Sequence, residues 1–200
     1  MKKTRTFLGI IAILAMIGFG LTACEPEPDP DPCASCLKIG ATGEGGGKIF
    51  YHNHAGFTVT GAGSFTAYYL EAAPTNQATG ISWSSTDVDV TGATGTAIGT
   101  GKSNTAAIIA AHSGDTASNN AAKAAAAYTG GGKNDWFLPS SDELVAMYEA
   151  KSQLDISSSN NFWSSSQYSS TRAWTMDFWG IRPHDFKYSN VYKVRAVRAF

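Results

Sequence analysis

Cysteine is nearly missing from this chain: there are three in 200 residues. That excludes a small disulfide-dense scaffold and leaves burial to carry the fold. Charge is thin as well. Asp, Glu, Lys and Arg make up 16% of residues, well under the usual quarter, and the formal net charge is −1. Neither a disordered polyelectrolyte nor a nucleic-acid-binding polycation fits that balance. Four of the seven prolines fall in one run, Pro26, Pro28, Pro30 and Pro32. There is no internal repeat, no heptad pattern and no Gly-X-Y period, which excludes a solenoid, a coiled coil and a collagen-like segment. Gly, Ser, Thr, Ala and aromatic residues are plentiful instead. That mixture suits a loop-rich domain of short strands with a polar, weakly charged surface, as in many extracellular domains.

The single long apolar run lies at the front. Lys2, Lys3 and Arg5 precede Phe7 to Gly20 (FLGIIAILAMIGFG), and Leu21-Thr22-Ala23-Cys24 follows. A basic start, a short apolar stretch and small residues before a cut predict a secretory signal. The stretch is short for a spanning helix, which needs about 20 apolar residues. Leu-Thr-Ala-Cys resembles the bacterial lipobox, in which the cysteine is acylated and becomes the first residue after cleavage. Residues 1–23 are therefore expected to be a lipoprotein signal peptide and Cys24 the lipidated residue. Several acyl chains hold a protein durably on a bilayer where one does not.

Glu25-Pro-Glu-Pro-Asp-Pro-Asp-Pro32 comes next. Alternating prolines impose extended backbone, and the four acids repel one another, so residues 24–36 are expected to form a stiff acidic tether. Cys33-Ala-Ser-Cys36 closes it. Outside the cytoplasm this pair is expected to form a local disulfide. As half of a zinc site it lacks a second pair of ligands, and a redox role wants a strand-to-helix turn rather than a proline run before it.

Residues 37–200 then read as one α+β domain. Lys48–Tyr51, Phe57–Thr60 and Tyr68–Pro74 predict a meander of three short strands. Ile81–Gly101 is a Ser/Thr/Gly-rich loop. Asn104–His112 and Ala117–Tyr128 predict Ala-rich helices, and Ser140 with Glu143 has capping-box spacing ahead of a third. Phe162–Tyr168, Ala173–Phe178 and Tyr192–Phe200 predict three strands around a loop-rich insert at 179–191. Strands, then helices, then strands imply an antiparallel sheet with two or three helices inserted between its N-terminal and C-terminal strands.

Trp136-Phe-Leu-Pro-Ser140 with Asp142-Glu-Leu144, Phe162-Trp-Ser-Ser-Ser166, Ala173-Trp174 and Val194-Arg-Ala-Val-Arg198 together resemble the C-terminal domain family of the Legionella collagen-like adhesin (Lcl). Gly43-x-Gly-Gly-Gly-x-Ile-Phe-Tyr51 and Tyr69-Leu-Glu-Ala72 look like that family's lipoprotein members. The resemblance spans residues 38–200. It implies a C-type lectin-like fold, related to the sulfatase-modifying group, and a surface-exposed protein. The family's namesake binds sulfated glycosaminoglycans as a trimer; the collagen repeats are lacking here. The enzymatic relatives use cysteines absent after Cys36, so no activity is carried over and no enzyme is expected.

Ten of the 23 Phe, Tyr and Trp residues lie in the last forty positions, and between Thr171 and Phe200 six bases face two acids. Aromatic rings stack on sugar C–H faces, and guanidinium groups meet sulfate or carboxylate. Trp163 and Trp174, in strand-like runs, read as core. Arg195 and Arg198, an odd number of residues apart, point to opposite faces, and one is expected to pair with Glu143 or Asp142. That leaves Arg172, Trp179, Arg182, His184, Asp185, Lys187, Tyr188 and Tyr192 as exposed ligand contacts on loops over a rigid sheet.

Other motifs assemble nothing. Gly101-Lys102-Ser103 imitates a phosphate loop, but position 96 is Thr where the motif needs Gly, so it reads as a loop and helix start. His52-Asn53-His54 puts two imidazoles on one side of a strand with no third ligand identifiable. Asp87 and Asp89 fall short of a calcium set, and His112, Ser166 and Asp177 have no triad spacing. No cofactor or metal is expected. The sequence thus predicts a lipid-anchored cell-envelope protein, exposed on the outer membrane. Its non-catalytic, adhesin-type domain would bind glycan, sulfated glycosaminoglycan or host protein. The alternative is a structural protein binding another envelope protein.

Overall fold

The two alternating stretches at 48–60 form one strand rather than two. β1 (Lys48–Val59) runs antiparallel to β2 (Phe65–Ala72), and the register shifts between His52 and Phe57. A bulge therefore replaces the expected turn. Gly56 sits in it at φ +78°, where a side chain would also meet Thr66. The computed structural model describes residues 36–157 and 159–200. The expected signal peptide, Cys24 and all but the last residue of the tether lie outside the described residues. No helix among the described residues is long and apolar enough to cross a membrane.

β3 (Ala78–Ile81) follows the hairpin. Three α-helices come next among the described residues, α1 (Gly101–Ala111), α2 (Ala121–Ala126) and α3 (Ser141–Glu149), with a single 3-10 turn at Gly130–Gly132 between the last two. Then come β4 (Asn161–Gln167), β5 (Arg172–Asp177), β6 (His184–Phe186), β7 (Tyr192–Val194) and β8 (Val197–Ala199). The chain is α+β, with its helices between two groups of strands as expected. The strands build two sheets, ordered β1-β2-β8 and β3-β7-β4-β5-β6. Pairing is antiparallel except at β4 and β7, which run parallel through Phe162 and Lys193. The expected single strand at 192–200 is broken. Arg195 donates to the Ala73 carbonyl at 2.7 Å and to Asn76 at 2.8 Å. That pulls residues 195–196 off β7 and delivers β8 to the other sheet.

Two apolar clusters fill the interior among the described residues. One joins Phe50, Leu70, Phe137, Leu144, Met147, Phe162 and Phe178; the other gathers Trp83, Ile108, the α2 alanines, Trp136, Leu138 and Trp163. α2 is shorter than its alanine run because Asn120 caps it, its side chain accepting from the Lys123 amide. α3 starts where the spacing says. Ser140 accepts from the Glu143 amide while Glu143 accepts from the Ser140 amide at 2.7 Å, a full capping box worth about 1 kcal/mol.

The loop at 82–100 lacks regular structure but is held by the buried polar strand β4. Gln167 accepts from the Val90 amide, and the Ser166 hydroxyl donates to the Gly95 carbonyl. Ser166 also accepts from the Ser141 amide. The Ser164 hydroxyl donates to the Trp174 carbonyl and Ser165 accepts from the Asn104 side chain, so each hydroxyl of the Ser164–Ser166 run has an interior partner, which lets serine sit in a core strand.

The glycine-rich segment before β1 has a comparable purpose. Glu71 is completely buried, and its two oxygens accept from the amides of Gly45 at 2.8 Å and Gly47 at 3.0 Å. A side chain at Gly43 would stand 2.5 Å from that carboxylate. Glu71 then pairs with Arg198 of β8 at 3.1 Å. Arg198 also meets Asp135 at 2.7 Å, and these partners hold its pKa above the ordinary value against the opposing effect of burial. The Arg198 ion pair is thus made with Glu71 and Asp135, not with Glu143 or Asp142. Asp142 pairs with Arg182 instead.

Candidate functional site

The period of a strand sorts the C-terminal residues into two faces. Arg172 opposes Phe186 and Trp174 opposes His184 across the β5–β6 pair, while Ala173 opposes Asp185. Successive side chains alternate, so Arg172, Trp174, His184 and Phe186 share one face and Ala173, Thr175, Asp185 and Lys187 take the other. Phe186 is exposed, the other three of the first set half-buried, and Ala173 and Thr175 buried. Tyr168, just past β4, joins the first face.

The contacts on that face form a continuous row. The Arg172 guanidinium lies 4.3 Å from the centre of the Phe186 ring, with one nitrogen 3.4 Å from His184 Nδ1. His184 stacks on Tyr168, with ring centres 3.6 Å apart and planes 11° from parallel. Trp174 meets both rings edge-on, at 5.1 Å from Tyr168 and 5.6 Å from His184. Arg182 lies 5.3 Å over Trp174. It is fixed there by Asp142 at 2.7 Å and the Ser141 hydroxyl at 2.6 Å, both in the first turn of α3. Two guanidinium groups therefore flank a cluster of three rings on this face. Tyr168, Trp174 and His184 hold one another stacked or edge-on, and Phe186 is held by the Arg172 guanidinium, which restricts the rotamers of each ring. Arg172 makes no ion pair among the described residues, so its charge remains available to an anion.

Three of the eight sequence-predicted contacts, Arg172, Arg182 and His184, come together in this row. Trp179 and Tyr188 are exposed, at 71% and 60%, on the turns flanking β6. The other three lie off this row: Lys187 is buried, and Asp185 and Tyr192, half-buried, bond to each other on the reverse face. Lys187 is completely buried, its ammonium donating to the Val88 carbonyl, Gln167 Oε1 and the Ser170 carbonyl at 2.8, 2.6 and 3.0 Å. It lies over the Trp83 ring, and burial lowers its pKa to about 8 against the opposing pull of Asp87 and Asp89. Its odd spacing from His184 and Phe186 turns it inward. Asp185 accepts from Tyr192 and Asn190 on the reverse face. Burial, then Asp185, pushes the Tyr192 phenol up to about 12. Those residues brace the insert rather than present it.

Tyr168, Trp174 and Phe186 belong to the row and are absent from the predicted set. Trp174 reads as core because it is a large aromatic in a strand, yet its even spacing from Arg172 was the available signal. Trp163, by contrast, is fully buried as expected. Among the motifs that assembled nothing, Gly101 begins α1 and packs against Glu143 and Phe137. Asp177 accepts from the Gly180 and Ile181 amides, and His112 is buried beside Asp115.

A second grouping lies on β1. Cys36, His52 and His54 place their sulfur and ring nitrogens within 4.8 Å of one another. Cys36 is disulfide-bonded; Cys33, its expected partner, lies outside the described residues. Comparison with protein-family models and with curated protein sequences finds no match for this chain.

Proposed function

We propose that this chain is a lipid-anchored cell-envelope protein whose C-type lectin-like domain binds an extracellular ligand without turning it over. Acylated Cys24 would hold it on the outer membrane, and the acidic proline tether would project the domain outward. The Tyr168–Arg172–Trp174–Arg182–His184–Phe186 row would make the contact. The observation that carries this reading is a cluster of three packed rings, Tyr168, Trp174 and His184, flanked by Arg172 and Arg182 on one sheet face. Rings offer apolar surface to sugar C–H groups. Arg172, lacking an acidic partner among the described residues, offers a bidentate fork to sulfate or carboxylate. Trp179 and Tyr188 extend the apolar area nearby. The resemblance to the Lcl C-terminal domain family points the same way, toward glycan, sulfated glycosaminoglycan or a host protein.

The test is a glycan array and heparin-binding measurement on the full chain in detergent, repeated with Trp174→Ala and Arg172→Ala. The expected result is binding to anionic glycans that weakens with added salt, since screening acts over about 8 Å at physiological ionic strength. Both variants should weaken it. Flat responses across sulfated and neutral glycans would remove the carbohydrate reading.

A further inference from the structure

We propose that reduction of the Cys36 disulfide opens a zinc site made by Cys36, His52 and His54. The three ligand atoms already lie within 4.8 Å of one another. A tetrahedral zinc ion with bonds of about 2.0–2.3 Å needs separations of about 3.3–3.7 Å, so small side-chain rotations complete the set. Strand geometry supplies half of it, because His52 and His54 are two residues apart on β1 and share a face. Tyr69 of β2 supplies the rest of the order. Its ring stacks on His52 with centres 4.6 Å apart, while its hydroxyl accepts from the amide of Leu37, the residue after Cys36. One tyrosine thus positions both the imidazole and the segment carrying the sulfur. His54 is exposed and the other two are half-buried, which gives the ion an entry path from solvent. Two imidazoles and a thiolate suit a borderline-soft d10 cation better than calcium or magnesium, which take oxygen.

The chemistry is gated by the state of the sulfur. A disulfide sulfur has no thiolate charge to donate. A dithiol reductant supplies two electrons; the S–S bond breaks, each sulfur takes a proton, and the reductant leaves as its own disulfide. As zinc binds, Cys36 releases its proton to solvent and the S–Zn bond forms. Among the described residues the oxidised chain therefore offers two imidazoles here, and the reduced chain two imidazoles and the Cys36 thiolate.

The experiment titrates Co²⁺, then Zn²⁺, into the full chain in detergent. It compares chain reduced anaerobically by a water-soluble phosphine with untreated chain. The reduced chain is expected to take up one equivalent of cobalt with a thiolate-to-cobalt charge-transfer band in the near ultraviolet, displaced by zinc. Cys36→Ser should abolish the band, and His52→Ala and His54→Ala should each weaken binding by more than about tenfold. Because His54 is exposed, its variant carries the test if His52→Ala disturbs β1. Absence of the band in reduced chain, equal binding by oxidised chain, or unchanged affinity in both histidine variants would overturn the proposal.

Discussion

Removing the Glu71 carboxylate should be among the most damaging single changes outside the apolar core. Glu71→Ala leaves the amides of Gly45 and Gly47 without their acceptors and takes from Arg198 its buried partner. An orphaned buried donor costs about 1–3 kcal/mol, and breaking a buried ion pair from one side costs about 3–5 kcal/mol. These overlap, because Asp135 still holds Arg198 at 2.7 Å and water can enter the loop. A net loss of about 3–5 kcal/mol follows. At about 2–4 °C per kcal/mol for a domain of this size, Tm should fall by roughly 10 °C. The control is Glu44→Ala. That side chain is 54% exposed and reaches Lys133 and Arg198 only at 3.5 Å, a surface pairing worth under about 1 kcal/mol. Thermal and urea unfolding followed by circular dichroism would measure both. If Glu71→Ala costs no more than Glu44→Ala, the carboxylate is not what organises the glycine loop and the account of that motif is wrong.

Three further outcomes follow from the structure. Burial pushes the Glu143 carboxyl up to about 7 from 4.5, against the opposing hydrogen bonds from the Ser140, Gly99 and Gly101 amides. A folded-state pKa above the unfolded one contributes stability that is complete below about pH 4.5 and is lost as pH rises through about 7. Urea unfolding should therefore show a loss on the order of 3 kcal/mol between those limits, flattened in Glu143→Gln. Trp174→Ala should lower affinity for the array-identified glycan by about tenfold while changing unfolding by much less than Glu71→Ala does; equal affinity would move the site elsewhere. Protease shaving of intact cells should remove the domain without lysis, and protection would place it away from the surface.

How much of this was legible in the sequence depends on the reach of each signal. Local signals carried well: Ser140 and Glu143 announce α3, and the strand and helix groups fall in the expected order. Signals that depend on distant partners did not. Nothing near Arg198 names Glu71, which is 127 residues away. Nothing in Tyr192–Phe200 says that Arg195 will be drawn off by Ala73 and Asn76, breaking one strand into two. The alanine run at 117–128 hides Asn120, whose capping side chain starts α2 late. At the candidate site, charge and aromatic enrichment pointed to the segment that carries the row but not to the face its residues share. Alternation would have separated Arg172, Trp174, His184 and Phe186 from Asp185 and Lys187, but only with β5 and β6 already assigned. The third member of the Cys36 grouping was invisible because sequence does not tell which way the tether's last residue turns.

The pairing of β2 with β8 has a consequence for the birth of the molecule. Three-stranded sheet β1-β2-β8 cannot be finished until Val197–Ala199 arrives, so the hairpin made early waits for a partner synthesised much later. Contacts this far apart along the chain form slowly, since the intervening loop must close first. Until the last residues arrive, the outer edge of β2 stays without its strand partner, so this sheet reaches its final form only when the whole domain has been made.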